Sequence, residues 1–213
     1  MCKVKIVGLV AGILCVCALL AQEKDGPDEP TKDALEKAKD AIISSCKEEK
    51  ADEKVKDAAV NALTALVKEG VSPEDAGDIL VRAVKDKLNA DGIKKLCDGV
   101  IAILKMDEKV VAKEVKTADI EMIADLAEEK VPANDALEIA NLVIKNKFSA
   151  EEINKLCETL EAALEKDIDA KELAKFVKEK LNAGVKGEEL LKAIGDKVNE
   201  MSKKEGDDKE GEK

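Results

Sequence analysis

The chain has 213 residues, 47 of them acidic and 36 basic, with no His, Trp or Tyr and only two aromatics, Phe148 and Phe176. A net charge of −11 and the near absence of stacking rings exclude a nucleic-acid binder, because phosphate backbones repel such a chain. An interior built from Ala, Leu, Val and Ile, beside abundant Glu and Lys, favours closely packed helices over sheets.

The first segment reads as an export signal. Lys3 and Lys5 precede an apolar run from Ile6 to Ala21, which matches a basic n-region and an apolar h-region. As a helix the run spans roughly 24 Å, short of the roughly 30 Å hydrocarbon core, so removal is expected rather than retention as an anchor. Cleavage after Ala21 leaves 34 basic and 47 acidic residues, a charge of −13, in a secreted or periplasmic protein with no integral membrane span. Lipoprotein anchoring through Cys15 or Cys17 is the lesser alternative, since Leu14 and Val16 stand where a small residue is usual. Residues 1–21 are therefore expected to be a signal peptide and 22–31, with Pro27 and Pro30, a polar linker.

Residues 32–202 carry a helical period throughout. Thr31 is placed to cap a first helix whose stripe is Leu35, Ala38, Ile42 and Cys46. A second presents Val55, Ala59, Leu63 and Leu66 and stops at Gly70. Ser72 and Pro73 are cap and first residue of a third, with Ala76, Ile79, Ala83 and Val84, and Asn89 caps a fourth, with Ile93, Leu96, Cys97, Val100 and Leu104. After a charged, valine-bearing connection the pattern restarts at Thr117 with Ile120, Ile123 and Leu126, then Ile139, Ala140, Val143 and Ile144. Ser149 and Glu152 make a capping box ahead of Ile153, Leu156, Cys157 and Leu160. Asp169 and Glu172 make another ahead of Leu173, Phe176, Val177 and Leu181, and Leu190, Leu191, Ile194 and Val198 line a last helix. Residues 203–213 lack apolar side chains and read as a disordered tail.

The stretch ADGIKKLC, Ala90–Cys97, returns as AEEINKLC, Ala150–Cys157, and a gapless alignment of Val71–Leu104 with Val131–Leu164 gives thirteen identities. Ala183–Ile194 echoes Glu69–Leu80. The expected architecture is all-α, with repeated helical hairpins stacked as a short α-solenoid or a compact bundle. The repeat units fall at about residues 47–106 and 107–166, with a partial third copy at 167–202.

Cys46, Cys97 and Cys157 lie on core stripes, where a free thiol packs as a small hydrophobe, so the recurring cysteine reads as structural. A disulfide competes in an exported chain. Helices far apart in a repeat exceed the roughly 7 Å reach of such a bridge, however. No His and no close cysteine pair offers a metal set, and no phosphate-cradling glycine motif offers a cofactor site. The acidic side chains alternate with lysines as on a solvated face. No catalytic residue is assigned, and the chain is read as a non-enzyme. Leu137 and Leu142 replace Gly77 and Arg82 of the first copy, adding apolar surface to the second copy's middle helix. They either bury against a neighbour or form an exposed interaction patch. Two functions follow from these features. The first is a protein-binding or scaffold module. The second is a carrier of fatty acid or another apolar ligand within an amphipathic bundle.

Overall fold

A computed structural model describes residues 32–166 and 168–210, the side chains of residues 203–210 excepted. Nine helices account for the described chain: α1 Lys32–Glu48, α2 Glu53–Lys68, α3 Pro73–Lys85, α4 Ala90–Leu104, α5 Lys113–Glu128, α6 Ala133–Lys145, α7 Ala150–Leu164, α8 Ala170–Asn182 and α9 Gly187–Glu210. No strand occurs among the described residues, and none of these helices is long and apolar enough to cross a membrane. The expected signal peptide, linker and Thr31 cap lie outside the described residues.

Side-chain caps fix most starts. Ser72 accepts from Asp75 N at 3.0 Å, Asn89 from Gly92 N at 2.8 Å, and Asp169 from Glu172 N at 2.6 Å. Ser149 and Glu152 complete the reciprocal box. Two differences from the sequence reading appear at helix ends. Helix α5 begins at Lys113 rather than Thr117, behind Ala112, whose side chain cannot cap. Helix α9 runs to Glu210, into the charged stretch that the sequence reading takes as a tail.

Each helix packs chiefly on its second neighbour. Helices α1, α3, α5, α7 and α9 thus form one row, and α2, α4, α6 and α8 the other. Hairpin contacts α1–α2, α2–α3, α5–α6 and α8–α9 join the rows. The bounds of α2, α3 and α4 recur at α5, α6 and α7, sixty residues on in each case. Helices sixty residues apart in sequence fall in opposite rows. Cys97 on α4 and Cys157 on α7 are therefore separated by the architecture itself.

One core cluster runs through all nine helices, with Ile42, Leu63, Leu66, Ile79, Ile93, Met122, Ile123 and Ile139 among its fully buried members. With each aliphatic side chain contributing about 1.5–3 kcal/mol on burial, this apolar stripe, rather than helix propensity alone, holds the short helices in place.

Candidate binding groove

The connection between α4 and α5 folds into a wall. Asp107 Oδ1 accepts from Lys109 N at 2.9 Å, and its carbonyl accepts from Val110 N at 2.8 Å and Val111 N at 3.0 Å. That turn sends neighbouring valines in opposite directions, Val111 into the core at 7 % exposure and Val110 outward at 80 %. Lys116, on the first turn of α5, is buried with its aliphatic stem. Its ammonium donates to the carbonyl oxygens of Leu104, at 3.2 Å, and Met106. An ammonium removed from water needs such acceptors, and here it fastens the end of α4 to α5.

The opposite wall is the end of α6. Lys147 takes a left-handed backbone, φ 59°, and the chain closes back through Phe148 N to Val143 O at 3.1 Å, which buries the Phe148 ring. Between the walls lies a groove of about 700 Å³, lined by Met106, Val110, Val111, Ala112, Val115, Asn141, Ile144, Lys145, Lys147 and Phe148. Its size falls within the range of small-ligand sites, and its surface is mostly aliphatic. The only ionisable residues on it are the two lysines. Among the described residues Val110 is the one large apolar side chain that is exposed, and it sits here.

The residues singled out from sequence go elsewhere. Leu142 is in the core, and Leu137 is half-buried against α4, where a methyl built on Gly99 would lie 2.6 Å from its Cδ2. The two leucines thus do not form an exposed interaction patch. Sixty residues earlier, Gly77 sits where a methyl would lie 3.1 Å from Ala38 Cβ, and Arg82 pairs with Asp86.

Cys46, Cys97 and Cys157 are all free and buried. Burial pushes each thiol above its ordinary range, least opposed at Cys97 and Cys157, where nearby carboxylates push the same way. Cys97 Sγ faces Ala62 O at 3.9 Å. Cys157 lies 3.5 Å from Asp125 Oδ2 and 3.4 Å from Glu161 Oε1, so a protonated thiol donates into a pair of carboxylates. The ligand atoms of these three residues lie within 4.8 Å of one another. A thiol with two carboxylates is a possible donor set for a divalent cation, though the thiol would first have to ionise. Sequence inspection misses the trio because Asp125 and Cys157 meet only through the packing of α5 on α7.

An acidic face continues from there. Asp78 is pushed up to about 6, by burial first and then by Glu128, Glu74, Asp75 and Asp125. Asp119, also on α5, is fully buried with neither carboxylate oxygen bonded among the described residues, and loss of water raises it to about 8. An aspartate in a Lys- and Glu-rich helix gives no warning of burial. The counterpart sixty residues earlier, Ala59 on the core stripe, is the signal that marks the position as interior.

No family model matches the chain, and neither a curated protein nor a solved structure is detectably similar to it.

Proposed function

We propose that the protein is an exported, non-enzymatic helical-repeat protein that works by binding, with the groove between the α4–α5 connection and the end of α6 as its ligand site. The observation that carries this reading is the combination of an aliphatic groove with Val110 left in solvent at its rim. Exposing a valine forgoes roughly 1.5–3 kcal/mol of burial, an expense that a bound apolar group recovers. The coincident bounds of α2–α4 and α5–α7 support the repeat, and Lys3, Lys5 and the apolar run to Ala21 support export.

A scaffold for a protein partner is the second reading. The face favouring it carries Glu74, Asp75 and Asp78 on α3 with Asp125 and Glu128 on α5, which suits a basic surface. Native mass spectrometry of the protein purified from its source, beside Val110→Asp, tests the groove. The expected result is a co-purifying small molecule on the wild type that the variant has lost. A bare chain, or a protein partner retained by the variant, would contradict the groove as the working site.

A further inference from the structure

The groove has a polarity opposite to that of the molecule. The chain is acidic by 47 residues to 36, yet no Asp or Glu lines the groove, and Lys145 and Lys147 are among the residues that do. Both lysines are exposed, and among the described residues neither forms an ion pair, unlike Lys105, Lys155, Lys178 and Lys197. Two unpaired ammonium groups beside an aliphatic trough match an anionic head on an apolar tail.

We infer that the groove binds a free single-chain carboxylate amphiphile, a fatty acid in chemical class. Lys145 and Lys147 hold the carboxylate, and Met106, Val110, Val111 and Phe148 line the alkyl chain. The inference rests on the binding reading above and names its ligand. A membrane is a poor source of the carboxylate, because a chain of net charge −11 is repelled by anionic lipid. The site is built rather than incidental. Lys116 pins one wall by its two carbonyl contacts, and the Phe148–Val143 closure sets the other.

Isothermal titration of the full chain with dodecanoate and dodecyltrimethylammonium below their micelle concentrations, and with dodecanol below its solubility limit, tests the assignment. Dodecanoate is expected to bind with one-to-one stoichiometry, dodecanol more weakly and the cation not at all. Lys145→Glu and Lys147→Glu, both at exposed positions, should each weaken dodecanoate about tenfold, the worth of one charge-assisted contact, and leave dodecanol unchanged. Circular dichroism of each variant checks that the fold is intact. If dodecanol binds as tightly as dodecanoate, or charge reversal changes nothing, the carboxylate assignment is wrong. The groove reading then still stands where Val110→Asp weakens all three ligands. Sedimentation of the protein with phosphatidylserine vesicles, without binding of monomeric dodecanoate, would overturn the free-ligand assignment. Failure of all three ligands would do so as well, and native mass spectrometry of the source protein would then judge the groove separately.

Discussion

Asp86, at the end of α3, caps α6: its Oδ2 accepts from Ala133 N at 2.7 Å, while Oδ1 pairs with Arg82 at 2.5 Å. Sixty residues earlier, α3 is capped locally, by Ser72. At the start of α6 the corresponding residue is Pro132, which has no side-chain acceptor, so a neighbouring helix provides the cap. Asp86→Ala should lower stability by about 1–3 kcal/mol, combining a lost cap with an Arg82 guanidinium left half-buried. Pro132→Ser should recover part of the loss when added to Asp86→Ala. Chemical denaturation of the two variants measures both effects, and an unchanged midpoint in Asp86→Ala would show that the contact contributes nothing.

Gly99 and Leu137 should behave as a coupled pair. Alanine at a mid-helix glycine normally gains about 0.5–1 kcal/mol. At Gly99 the new methyl meets Leu137 Cδ2, and the leucine must leave its seat on α4. Gly99→Ala alone is therefore expected to be neutral or destabilising, and to become stabilising in a Leu137→Ala background. The interaction energy from a double-mutant cycle should fall at about 0.5–2 kcal/mol, whereas additive effects would place the two residues out of contact.

Buried Asp119 makes stability depend on pH. Its carboxyl sits near 8 in the folded chain and 3.8 when exposed, so the folded state holds a proton between those values that the unfolded state releases. Stability accordingly falls as pH rises from about 4 to about 8, at up to about 1.4 kcal/mol per unit, and the slope ends above that window. Asp119→Ala copies the residue found sixty positions earlier, Ala59. Its stability relative to the wild type should rise across this window by several kcal/mol, roughly 6 at most. Parallel curves for the two proteins would mean that Asp119 ionises as freely folded as unfolded.

Thiol chemistry follows from position as well. A thiol held protonated is a poor nucleophile, and all three are buried. Folded protein at neutral pH should resist alkylation at Cys46, Cys97 and Cys157, with all three reacting after denaturation. Cys157 should be the slowest, since Asp125 and Glu161 oppose its ionisation. Fast native labelling at Cys157 would contradict the packing described around α5 and α7.

Much of the fold is legible in the sequence, for a reason that particular residues make plain. Ser72, Asn89, Ser149 and Asp169 announce helix starts because their side chains supply the missing acceptors, and those four starts are where the pattern places them. The start of α5 is misplaced because Ala112 carries no such mark. Helix ends show the same contrast. Gly70 and Gly184 signal a left-handed turn, but Lys130, at the position equivalent to Gly70, adopts φ 69° with a residue that advertises nothing. The groove was beyond reach for a different cause. It arises where residues 106–115 meet residues 141–148, and only the valines of an otherwise charged connection, Val110 and Val111, hinted that this loop had apolar work.

Methyl-resolved NMR of the full chain, with Met, Val, Leu and Ile labelled and dodecanoate added stepwise, locates the ligand and so tests the binding site itself. The account predicts saturable shifts at Met106, Val110, Val111 and Ile144, with Ile42 and Leu63 in the α1–α2 end of the core unmoved. Shifts centred on α1–α3, or no shifts at the groove methyls at saturating ligand, would contradict it.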